Sequence, residues 1–355
     1  MDTVQADANH VRPGLEPGRA GLLLLALAAV FVLLSVLTAL LPHDPYIRYQ
    51  QLRDTIQFRS QWIYERIELD RTPIHVAIVG NSRMGAGVSA PQLQARLQAL
   101  TGQNIQVANV SLPQEGRNVH YAVAKRLIEA HPELKTIVVS VVEEMPRRGH
   151  PAFRNLADVG DVVSAPTLIN FSYADDVAIL PYRQMSLWAQ TLAPQLFGVT
   201  RTRSPDYAGP GFDTTKTFEL PDGRIVERDA IVPEDYLRAT AEREILSQSP
   251  QVLPDALADY EFAVERAFTR RLGDLARRHG VRIVFLQLPI YSDTRSVGNA
   301  AFYESFGPIL SANALSGEPT YFADYGHLNR YGSAKASAWL ADELVSKNLA
   351  GAPAR

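Results

Sequence analysis

Cysteine is absent from all 355 positions, which excludes thiol catalysis, Cys-ligated zinc and disulfides. An excess of basic charge is also missing: 35 Lys+Arg stand against 38 Asp+Glu, for a net charge of −3. The electrostatic footprint of a nucleic-acid-binding protein is therefore not expected. Only 8 histidines occur, and the closest pair is 11 residues apart. The i, i+4 metal pair of a helical zinc site is thus missing, and the sequence calls for neither a metal nor a cofactor. Apolar residues at 46% and charged residues at 21% exclude a disordered chain and a multi-span membrane protein alike.

One long apolar run is present. Ala20–Leu41 holds 22 residues without a charge, enough to cross the roughly 30 Å hydrocarbon core as a helix. A cleaved signal peptide would carry a shorter apolar region of about 7–15 residues. An amphipathic core helix would leave one face polar, which this run does not. Arg12 and Arg19 before the span balance Arg48 and Arg53 after it, so charge does not orient it. A short N-terminus favours a cytoplasmic tail at 1–19, a transmembrane helix at 20–41 and an extracytoplasmic C-terminal domain. The expected location is a bacterial-type inner membrane, with the lipid bilayer as a partner. Residues 42–73 read as a linker in which Ile56, Trp62, Ile63 and Ile67 predict a stalk helix.

From residue 74 to about 350, strands alternate with helices, the pattern of an α/β domain with a mainly parallel sheet. Strands are expected at His75–Val79, Ile105–Leu112, Leu134–Val142, Val281–Leu288 and Thr320–Ala323. Helices are expected after Pro91, after Asn118 as a cap, over about 255–279 to the stop at Gly280, and from Asn329 to Leu344. The alternation lapses over 146–254, which carries 11 of the 23 prolines and reads as an insertion of short helices and loops.

Ligands of such sheets gather at the carboxyl ends of the strands, and Ser82 directly follows the first one in Gly80-Asn81-Ser82. A serine hydroxyl needs a base. His327 is the candidate, with Asp324 three residues earlier to fix its tautomer. The other seven histidines read as surface or core residues. The α/β-hydrolase elbow wants glycine two places after the serine, where this chain has Met84.

In these blocks the chain resembles the SGNH (GDSL-like) hydrolase superfamily. Gly80-Asn81-Ser82 matches its first block with Asn in place of Asp, and Asp324-x-x-His327, followed by Asn329 and Gly332, matches its last. Asn109 to Gly116 loosely matches its second block. The likeness covers about 74–145 and 255–347. It implies a three-layer α/β sandwich of SGNH/flavodoxin-like kind and acyl-ester chemistry through an acyl-serine, by hydrolysis or by transfer to a sugar hydroxyl. The nearest overall likeness is to membrane-anchored proteins of surface-polysaccharide acylation. That implies a polysaccharide or acyl-ester substrate and a partner membrane O-acyltransferase.

The backbone N–H groups of Ser82 and Gly116 are the expected oxyanion donors, with Asn81, Arg83, Asn109, Arg117, Glu143 and Asn329 as possible support. The superfamily's third-block Asn has no counterpart, because the third strand runs into Glu143-Glu144. Either Arg83 or Arg117 compensates, Glu143 faces elsewhere, or activity is weak or absent. That gap keeps a second reading open, a non-catalytic assembly or glycan-binding protein on the same fold. A lipid esterase beside its own anchor is a third.

Overall fold

A computed structural model of the chain describes residues 17–141, 147–219, 224–247 and 251–351. Five parallel strands form its central sheet: β1 (Val76–Val79), β2 (Val107–Asn109), β3 (Thr136–Ser140), β4 (Arg282–Gln287) and β5 (Ile309–Ser311), in the order β2-β1-β3-β4-β5. Registers are regular, with Ala77 opposite both Ala108 and Ile137. The order changes direction between β1 and β3, and such a point opens a crevice outside the strands' carboxyl ends.

Successive side chains of a strand point to opposite faces, and here each face meets helices. Ala77, Val79, Ile137, Val139 and Phe285 pack with Leu127 and Phe268 in one core. Val76, Ile78, Val138, Val284 and Leu286 pack with Leu93, Leu97, Leu340 and Leu344 in another. Burial on both faces explains why these strands read as unbroken apolar runs.

The helices follow from their caps. Ala90–Thr101 starts at Ser89, whose hydroxyl accepts from the Gln92 N–H, and ends at Gly102 with φ +69°. Ala263–His279 ends at Gly280 with φ +67°, and Arg330–Ser346 starts at Asn329, whose side chain accepts from the Tyr331 and Gly332 N–H groups. Arg117–Ala130 departs from expectation, since Gly116 rather than Asn118 stands at its cap. The Asn118 side chain instead accepts from the His150 N–H at 2.9 Å.

Other expectations are corrected. Residues 45–69 do not form a stalk helix: Pro45–Gln50 and Ser60–Tyr64 are separate short helices, the latter continuing as a π turn over Glu65–Leu69. Tyr46, Tyr49, Trp62, Ile63 and Ile67 belong to the first core, so the segment is part of the domain. The helix expected over 255–279 breaks at Phe262. The last expected strand, Phe322–Asp324, pairs antiparallel with His327–Leu328 outside the main sheet. Among the described residues of the insertion, Phe153, Leu156, Val162 and Leu180 join the first core, and Leu237 and Ala241 the second.

The N-terminal helix runs over Pro17–Ala39. Its stretch Arg19–Ala39 is long and apolar enough to cross a membrane, and the strongly apolar part is unburied by the rest of the chain.

Candidate active site

The serine sits where β1 must turn sharply. A side chain on Gly80 would come within 2.4 Å of Met84 Cγ and 2.8 Å of Ser140 Oγ, so the turn accepts only glycine. Asn81 then caps the helix Ser82–Gly87, its side-chain oxygen accepting from the N–H groups of Arg83 (3.1 Å) and Met84 (3.3 Å). From below, Asn109 at the end of β2 donates to the carbonyls of Met84 (2.9 Å) and Val88 (2.7 Å). Ser82 thus begins a helix fixed at both ends.

The histidine arrives from the other end of the chain. Asp324 Oδ1 accepts the backbone N–H groups of Gly326 (2.8 Å) and His327 (2.9 Å), which closes a tight turn. Its carboxylate oxygens lie 2.9 and 3.0 Å from His327 Nδ1. His327 Nε2 lies 2.8 Å from Ser82 Oγ. With Nδ1–H donating to the carboxylate, Nε2 is left to accept the serine proton. Burial opposes ionisation of Asp324, but the bonds from His327 and from the turn's N–H groups prevail and hold its carboxyl below the usual range.

Gly116 has φ +149°, and a side chain on it would strike His150 Cβ and N at 2.5 Å. The turn before it is tied to the serine turn, because Asn81 Nδ2 donates to Glu115 Oε1 at 3.1 Å. His150, which walls Gly116, bonds the Pro113 carbonyl through Nε2 and accepts the Ala152 N–H at Nδ1. Burial pulls its ring pKa down to about 4, so it is neutral.

The supporting residues divide. Asn81, Asn109 and Asn329 hold backbone, as described. Arg117 is fully buried: it pairs with Glu265 at 2.6 Å and donates to the Ser140 carbonyl at 2.6 Å, while its Nη1 has no partner among the described residues. Arg83 lies beside the histidine turn, its Nε 3.7 Å from where a Gly326 side chain would begin. Glu143 and Glu144 lie outside the described residues.

Sequence reasoning missed a strap. Within the insertion, Thr214 Oγ1 donates to the Gly85 carbonyl (2.6 Å) and Asp213 accepts from Ser89 Oγ (2.8 Å), which ties the strap to the serine side. After the strands Thr217–Glu219 and Ile225–Glu227, the Arg228 carbonyl accepts the Arg330 N–H (2.7 Å) beside the histidine hairpin. Burial lowers the Arg228 pKa, opposed by the attraction of Asp324. The only sequence signal was the Pro221-Asp222-Gly223 turn between two short apolar runs. Among the described residues, no cluster of three or more His, Asp or Glu could hold a metal ion.

No protein-family model matches this chain, and no curated protein matches it.

Proposed function

We propose that the protein is a membrane-anchored acyl esterase or O-acyltransferase of SGNH type, acting through an acyl-serine on an envelope or exported polysaccharide. One observation carries the reading: residues 245 positions apart meet with Ser82 Oγ 2.8 Å from His327 Nε2, while Nδ1 lies on Asp324. The strand order, with helix-lined cores on both faces, supports a three-layer sandwich of SGNH/flavodoxin-like kind.

In this mechanism, His327 Nε2 takes the Ser82 proton as Oγ attacks the ester carbonyl. The carbonyl oxygen becomes an oxyanion between the N–H groups of Ser82 and Gly116. The imidazolium, held by Asp324, returns its proton to the departing alcohol and leaves an acyl-serine. Water or a sugar hydroxyl then gives its proton to His327 and attacks the acyl carbon; His327 passes that proton to Ser82 Oγ as the acyl–Oγ bond breaks, releasing the carboxylic acid or the new ester. Losing one oxyanion donor typically costs about 3 kcal/mol, so each of these N–H groups carries a large share of the rate.

A fluorophosphonate probe tests this. Labelling of the wild type is expected, and Ser82→Ala and His327→Ala should both abolish it; labelling that persists in Ser82→Ala removes that serine from the role. The absence of a third-block Asn and the long insertion favour one rival, a non-catalytic assembly or glycan-binding protein on the same fold. It is adopted if cells carrying Ser82→Ala with His327→Ala still acylate their glycan normally.

A further inference from the structure

The helix Leu180–Leu192 of the insertion has two unlike faces. Leu180, Arg183, Gln184 and Leu187 are buried, while Tyr182, Met185, Trp188 and Leu192 are exposed. Their spacings of three, three and four residues put the exposed four on one stripe. The apolar strip continues into Leu196 and Phe197, exposed at 81% and 48%. Exposed strips of this kind mark interaction surfaces.

Its position indicates what it meets. The helix packs on the end of the N-terminal helix. Gln184 Nε2 donates to the carbonyl of Ala39, that helix's last residue, at 3.2 Å, and Thr191 Oγ1 accepts the Asp44 N–H at 2.9 Å. The strip therefore lies on a helix packed against the end of the anchor, whose exposed apolar surface runs to Leu40. Exposed cations stand beside it: Arg53 donates to the Gly198 carbonyl at 3.0 Å, and Arg201 pairs with Asp44 at 3.3 Å.

We propose that Leu180–Leu192 and the turn after it lie in the headgroup–acyl boundary of the bilayer that the N-terminal helix crosses. An apolar face bearing Tyr and Trp, with arginines at its edge, has the make-up of an interfacial helix. The domain then touches the membrane at two places rather than swinging from one. This inference needs the anchor but not the acyl-serine chemistry.

Because the chain has no cysteine, an introduced one is its sole thiol. Nitroxide labels on Leu192→Cys and Leu196→Cys, in the full chain reconstituted into phosphatidylcholine–phosphatidylglycerol vesicles, report depth by collision with oxygen or with a water-soluble nickel chelate. Leu27→Cys in the anchor and Arg277→Cys, an exposed site on the domain, are the lipid and water references. Labels at 192 and 196 should collide preferentially with oxygen, as at 27. Nickel access equal to that at 277 overturns the proposal. So does protection from both reagents, which would mean that protein, such as a second copy, covers the strip. An aqueous label at 27 removes the anchor as well, whereas lipid at 27 with water at 192 and 196 removes the strip alone.

Discussion

Asn81 is the residue at which this chain departs from the block it resembles, and its contacts give a reason. The carboxamide oxygen caps two N–H groups while the NH2 group donates to Glu115. An aspartate could cap equally well, but it would face Glu115 with a second carboxylate and no proton to give. Asn81→Asp should therefore cost about 1–3 kcal/mol of stability in urea titration at neutral pH, and Glu115→Gln should restore much of it. A loss unchanged by Glu115→Gln would detach the two residues from each other. Gly116→Ala should be as damaging, since the backbone is left-handed there and His150 leaves no room; soluble yield and thermal unfolding would show it. The Ser82, Asp324 and His327 constellation was legible because each signal is local, a serine just past a strand and a three-residue spacing. The Asn81–Glu115 and Gly116–His150 contacts join residues more than thirty positions apart, and no periodicity encodes those.

At the scale of elements, the insertion does more than fill space. Its strap is bonded to the serine helix through Thr214, to the cap of the next helix through Asp213, and to the start of the last helix through Arg228. Thr214→Val with Asp213→Ala removes four buried bonds, those to Gly85 and Ser89 and the two that Asp213 Oδ1 accepts from Thr215, for about 1 kcal/mol each. Amide exchange should quicken in Thr217–Glu219 and Ile225–Glu227 while β1 and β3 keep their protection. Equal acceleration in the sheet would show that the strap is not a separate unit. Four of the five sheet strands were readable as apolar runs. The fifth, Ile309–Ser311, is three residues long and follows Gly307-Pro308, too short for a period to register. The segment 45–69 misled for a related reason: helical spacing of Ile and Trp predicts an apolar face, but what that face packs on is decided by tertiary contact. Here the domain core took it.

At the scale of the whole molecule, acid is expected to act through buried groups. His150 has a pKa near 4 in the folded chain, below the ordinary value of about 6.5. As pH falls between those values the unfolded chain takes up a proton that the folded chain refuses. Stability is therefore full above about 6.5 and drains toward 4, by about 3 kcal/mol from this residue. Denaturant midpoints measured from pH 7 to 4 should fall, and more shallowly in His150→Gln; identical slopes would acquit the residue. Asp324 acts lower on the scale. Its folded carboxyl titrates below its unfolded one, so its contribution is intact above the ordinary carboxylate range and vanishes only as pH drops through the depressed value.

The separation of Ser82 from His327 along the chain also bears on synthesis. The hydroxyl is made directly after the first sheet strand, and the imidazole only after all five strands of that sheet. A nascent chain can thus enter the bilayer by its first helix and fold most of its sheet while its serine still lacks a base. Under the proposed acyl-serine mechanism, any truncation upstream of the His327 hairpin should leave a protein that a fluorophosphonate does not label.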